Sequence, residues 1–194
     1  EYARAEGSDI QQFMSIDEAA RAHLAGKPVV RLHPLKNSRW YARVARAVLD
    51  AAAEAEKAAG DRRSKELVST IVDLRILANL ALYHSRRIHA ALAWSFYRHT
   101  RDLNALDDAI RHEASAIEAW RRIVEAAGDL YHHDLMFGRR SAGLCGHWKD
   151  ELAALERGLA RLKDHRAKAR PTGLDAGPRI ASVPVRRAVP GQPI

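Results

Sequence analysis

Read for apolar and polar positions, the chain resolves into five stretches of helical periodicity. Ser15-Ile-Asp-Glu18 has the form of a capping box and predicts a short helix from 16 to about 25. Gly26, Pro28 and Pro34 predict a loop after it. Asn37 or Ser38 can cap a second helix over 39–59, stopped by Gly60, with an apolar stripe of Trp40, Val44, Ala47, Val48 and Ala51. A third runs over 62–100, and between 71 and 82 it is apolar on nearly every side. A helix greasy all round is a central one, surrounded by others. A fourth, over 104–127, ends at Gly128 and presents Leu106, Ile110, Ile117, Trp120 and Val124. A fifth, over 148–166, buries Leu152, Leu155, Leu159 and Leu162.

Short connections between such helices predict an all-α fold: an antiparallel bundle of about five helices with one long central helix. A repeat solenoid is the rival, but the helices differ in length and no 34-residue self-similarity is visible. Three segments follow: a short helix and loop at 1–36, the bundle at 37–168, and a linker with a strand at 169–194. The linker is the Pro/Gly-rich stretch 171–178, and 180–194 alternates like an edge strand. A lone strand has nothing to pair with, so the chain is expected to continue into a β-sandwich.

Composition narrows the classes. Hydrophobic residues make up 47% and charged ones 29%, which suits a globule rather than a disordered chain. No apolar run approaches the eighteen or so residues of a membrane span, so no membrane partner is expected. The single cysteine, Cys145, excludes an internal disulfide. The net charge of +8 invites a nucleic-acid reading, but nine of the cations and only two of the acids lie after residue 156. That stretch carries +7, leaving about +1 for the body, so a basic tail is expected rather than a nucleic-acid-binding face.

The connection 129–151 concentrates the candidate chemistry: three of the ten histidines, the cysteine, two aromatics beside Trp148, and several acids. His132, His133, Asp134, Cys145 and His147 carry donor atoms suited to zinc, but their spacing matches no zinc pattern, and no metal or cofactor is expected. As a glycan or small-ligand platform, Tyr131 and Trp148 could stack on a sugar face while Asp134, His147 and Asp150 bond its hydroxyls. As structure, His147 or Asp150 caps the last helix, Trp148 and Phe137 plug the bundle's end, and Gly138, Gly143 and Gly146 permit positive φ.

The central helix holds a second polar set. Asn79, Tyr83 and Arg87 lie at i, i+4 and i+8 and predict a polar strip, read first as a paired network that fixes helix register. Asp108 and His112 form another i, i+4 pair, expected at the surface, whereas Trp40, Trp94 and Trp120 are expected in the core. There is no Gly-rich phosphate loop, nucleophile elbow or His-Glu-x-x-His, so catalysis by this chain alone is not expected.

Two stretches carry a resemblance: Lys65-Glu-Leu-Val-Ser-Thr-Ile-Val-Asp-Leu-Arg-Ile-Leu-Ala-Asn-Leu-Ala-Leu-Tyr-His-Ser-Arg-Arg87 and Gly143-Leu-Cys-Gly-His-Trp-Lys-Asp-Glu-Leu152. Together they resemble a helical module found toward the C-terminus of large bacterial glycoside-hydrolase-like proteins. There it follows a catalytic domain and precedes an immunoglobulin-like sandwich, whose opening the closing Pro190-Gly-Gln-Pro-Ile194 is similar to. The resemblance covers about 64–166 and the tail, and it implies no catalytic residue. It implies a non-catalytic accessory module of a secreted or periplasmic glycan-processing protein, with neighbouring domains, and a glycan, as partners. The other expectation is an independent ligand- or metal-binding bundle using the 131–150 connection.

Overall fold

A computed structural model describes residues 9–61, 63–136, 138–142 and 145–170. The expected linker and strand after 170, and the expected roles of Phe137 and Gly143, lie outside the described residues.

The fold is an all-α bundle of five helices: α1 (Ile16–Leu24), α2 (Pro34–Ala59), α3 (Lys65–Thr100), α4 (Leu103–Ala127) and α5 (Trp148–Lys168). Between α4 and α5 a small antiparallel pair, β1 (Leu135–Met136) and β2 (Cys145–Gly146), flanks a 3-10 turn at Arg140–Ala142. The long α3 spans about 54 Å at the rise of an α-helix. It packs α2 and α4 antiparallel to itself, α5 lies along α4, and α1 sits on its C-terminal half.

The caps show why the helices start where they do. Ser15 accepts from the Glu18 backbone N–H at 3.2 Å, which is one half of the expected box. The other half is not made, because the Glu18 carboxylate pairs with Arg31 across the following loop. The loop expected through Pro34 ends sooner than expected. Pro34 takes the first helical position, where a missing N–H costs nothing, and His33 is the cap, its Nδ1 accepting from the Leu35 N–H at 3.2 Å. Ser64 caps α3 and Asp102 caps α4. The sharp turn between those two helices uses Arg101 in the left-handed region at φ 59°, the one non-glycine with positive φ among the described residues.

The core does not follow the expected stripe of α2. Trp40 is 52% exposed, and the helix instead turns Leu35, Ser38, Ala45 and Ala52 inward. Three of these recur every seventh residue and are small, so α2 approaches α3 closely. On α3, burial is densest after residue 83, over Ile88, Ala90–Ala93 and Phe96, rather than over 71–82, where Leu77 is 60% exposed. By length and composition alone α3 is long and apolar enough to cross a membrane, a test that the core helix of a bundle also passes; a third of that window is buried inside the bundle.

Two ties fix α1 to α3. Asp17 accepts from Ser95 at 3.0 Å and pairs with His99 at 2.7 Å and Arg21 at 2.6 Å. Burial would raise this carboxyl, but the hydrogen bonds from His99, Ser95 and Arg21 together hold it below the usual carboxylate range. The main apolar cluster joins Met14, Ile16 and Ala19 to Leu92, Phe96 and Leu106, with Leu162 and Ala169 of the α5 end against it.

Candidate functional site

The 128–150 connection is built by local chemistry. Gly128 ends α4 at φ 50°, its N–H donating to the Val124 carbonyl at 3.1 Å. β1 and β2 then pair Leu135 with Gly146 and Met136 with Cys145. Gly146 sits at φ 116°, and a Cβ there would lie 3.0 Å from Asp150 Oδ2, so the position requires glycine.

His147 follows as the cap of α5. Its Nδ1 accepts from the Lys149 N–H at 3.1 Å, while its own backbone N–H donates to Asp150 Oδ2 at 2.8 Å. The two side chains thus close a reciprocal capping box, and His147 is buried. Accepting through Nδ1 assigns the neutral ring's proton to Nε2.

Tyr131 donates its hydroxyl to Asp73 of α3 and meets Trp148 edge to face at 5.1 Å. The Trp148 carbonyl accepts from Trp120 Nε1 at 2.9 Å, which ties α5 to α4. Tyr131, Trp148 and Trp120 pack on the cluster of Ile76, Ile123 and Ala127. On the hairpin, Asp134 pairs with Arg140 at 2.8 Å, and that guanidinium also reaches Cys145 Sγ at 3.6 Å. The Arg140 hydrogen bond holds the Asp134 carboxyl below its ordinary range.

Of the five residues singled out from the sequence, three come together. Tyr131, His147 and Asp150 line an open depression of about 650 Å³, with His132, His133 and Lys149 on its walls. Trp148 stands behind Tyr131, and Asp134 is on the hairpin, occupied by Arg140. His132 and His133 hold their rings 4.2 Å apart. Among the described residues no group of three or more His, Cys, Asp or Glu is arranged to hold a metal ion.

The polar strip of α3 is largely paired. Asn79 donates to the Arg75 carbonyl at 2.9 Å, and Arg87 forms an ion pair with the buried Glu113 of α4. Burial raises the Tyr83 hydroxyl and the Arg87 charge opposes that rise. One buried acceptor, Asn79 Oδ1, has no partner among the described residues.

Spacing missed the most unusual polar pair. Asp108 acts on His112 through its charge but pairs with Arg111, and the His112 ring stacks on His89 of α3 with centroids 5.1 Å apart. Two residues 23 apart on different helices leave no local signal in a sequence.

Chemically, the depression offers hydrogen-bond donors, an aromatic edge, the Lys149 amine and the exposed Asp129 carboxylate 3.8 Å from it, while its other carboxylate, Asp150, is spent on the cap. It is equipped to bind a polar molecule. No protein-family model, curated protein or solved structure matches the chain.

Proposed function

We propose that the chain is a non-catalytic helical module of a multidomain, glycoside-hydrolase-like protein, packing on its catalytic domain and shaping the cleft. One observation carries this reading: the polar groups that cap α5 and cross the bundle are committed to structure, while large apolar side chains are left outward. His147 and Asp150 close the α5 cap, and Arg87 and Glu113 pair inside the bundle. Trp40, Leu77, Leu130 and Met136 are each more than half exposed. Apolar surface of this kind is what a neighbouring domain covers. The glycan class, and a secreted or periplasmic setting, rest on the resemblance of 65–87 and 143–152.

The test is deletion of 37–168 from the polypeptide that carries it, followed by thermal unfolding of the catalytic domain and glycan turnover. A lowered midpoint or altered turnover supports the module, and no change in either removes it.

A second reading, an independent ligand-binding bundle, is favoured by the depression around Tyr131, His132, His133 and Lys149. An oligosaccharide array probed with the 194-residue chain separates the two. Binding abolished by His132→Ala with Tyr131→Phe, in a folded variant, selects the second reading.

A further inference from the structure

The α1 end of the bundle holds a groove that neither reading uses. After α1 the chain turns at Gly26, φ 62°, where the Lys27 N–H donates to the Ala22 carbonyl at 2.9 Å, and 27–31 return alongside the helix. The far end of this loop is tied down. Arg31 pairs with Glu18 of α1 and donates to the Ile10 carbonyl at 2.5 Å. Leu32 donates to the Gln12 carbonyl at 2.8 Å and accepts from the Met14 N–H at 3.1 Å. Between loop and helix lies an open groove of about 1000 Å³. Met14, a member of the main apolar cluster, lines its floor, with Ala22 and Leu24 on the helix side and Val29 and Val30 on the loop side. Val30 is 97% exposed, and Leu24 and Val29 are each more than a third exposed, so this lining faces water.

The polar lining is unbalanced in charge. Arg21, Lys27, Arg31 and His99 meet one lining carboxylate, Glu18, and Arg31 occupies it. Asp17, outside the lining, serves Arg21 and His99 together. Lys27 forms no ion pair among the described residues, and the Arg21 side chain stays 68% exposed. The groove therefore joins an apolar wall to a lip that lacks an anion.

We propose that this groove binds an anionic amphiphile, a free single-chain carboxylate whose hydrocarbon lies along Leu24, Val29 and Val30 and whose head meets Lys27 and Arg21. The inference is independent of the functions proposed above. Small-molecule clefts run from about 300 to 1000 Å³ and are mostly apolar with a few placed polar groups, which this groove matches in size and lining. The two materials of the lining divide the work. Each buried methylene strengthens binding by up to roughly fourfold, whatever the head group. The cations select the head: a carboxylate gains from Lys27, whereas a quaternary ammonium of equal length is repelled by it. Because the loop is already tied to α1 and to 12–14, little ordering is left for the ligand to impose.

Calorimetric titration of the 194-residue chain with sodium dodecanoate, kept below its micelle concentration, tests the site. Saturable one-to-one uptake is expected, weaker by at least roughly tenfold for octanoate. Lys27→Glu is expected to weaken dodecanoate roughly tenfold by reversing the charge at the lip. Val30→Asp sets a like charge beside the hydrocarbon, at a side chain too exposed to disturb the core, and is expected to weaken it as much. Leu77→Ser, on the uncovered face of α3, is the control and should leave uptake unchanged. Absence of uptake, wild-type uptake in Lys27→Glu or Val30→Asp, or equal weakening in Leu77→Ser overturns the site. Dodecyltrimethylammonium bound as tightly as dodecanoate overturns it too. Flotation with phosphatidylglycerol vesicles, without uptake of the free carboxylate, assigns the patch to a bilayer surface and likewise overturns it.

Discussion

Ser38 and Ser85 donate to each other's backbone carbonyl across the α2–α3 interface, each at 2.9 Å, with their hydroxyls 3.1 Å apart. Both are buried, so each hydroxyl stands in for the water its partner's carbonyl would otherwise bind. The pair makes a dry, symmetric clamp at a place where larger side chains would hold the helices apart.

Ser38→Ala or Ser85→Ala alone is expected to lower unfolding free energy by about 1 kcal/mol, since one carbonyl loses its hydroxyl donor while the remaining hydroxyl keeps its own carbonyl acceptor. Either change already removes the contact between the hydroxyls, so that contact is lost only once when both become Ala. Urea unfolding of the four-member cycle should show the double variant costing less than the sum of the singles.

At the start of α5, His147→Ala and Asp150→Ala are each expected to cost about 1 kcal/mol, the ordinary worth of a cap. The two bonds form one box, so the double variant should cost less than twice that. Gly146→Ala carries a further penalty of about 1–3 kcal/mol, because an L side chain is forced to a positive φ and against Asp150. Thermal denaturation ranks the three.

Inside the bundle, Glu113→Gln is expected to cost about 3–5 kcal/mol by leaving the Arg87 charge facing a neutral partner. Replacing both, as Arg87→Met with Glu113→Leu, should recover most of that loss. A double variant as unstable as Glu113→Gln would show that the ion pair, rather than its volume, holds α3 against α4.

His33→Asp supplies a cap acceptor that stays available in mild acid. Relative to wild type, the variant is expected to gain stability as the pH is lowered from 7 to 5, because the folded-state titration of His33 is depressed and its acceptor is lost in that window. Parallel denaturant midpoints at both pH values would refute this.

Leu92→Ala and Phe96→Ala remove fully buried side chains and are expected to cost about 2–5 kcal/mol. Leu77→Ser, on the uncovered face of α3, should cost less than about 0.5 kcal/mol. If Leu77→Ser also reduces self-association in sedimentation, the exposed face is what brings copies together.

The architecture was legible because its signals are local. The Ser15 cap, the glycine stops at 60 and 128, and the leucine ladder of α5 each act within one turn or one face. The facing of α2 was not. Weighing residues by size points to Trp40, whereas the helix buries small ones, Ser38, Ala45 and Ala52, and leaves the tryptophan outside. Alanine-rich helices hide their inner face, since alanine suits either side. At the site, the His147–Asp150 spacing carried the capping box plainly. The bond from Tyr131 to Asp73 spans 58 residues and could only be read from the fold. The same holds for His89 with His112, whose stacking depends on how two helices cross.

Met14, just before α1, and Ala169, just after α5, belong to one apolar cluster beside Phe96. The two ends of the described chain are therefore spatial neighbours, although 155 residues separate them. A circular permutant that joins 170 to 9 through a short Gly/Ser linker, and opens the exposed turn after Gly60, should fold to the same bundle. Seen this way, the bundle behaves as a nearly closed loop of chain, a shape that can be set into the surface of a host protein with little disturbance to either.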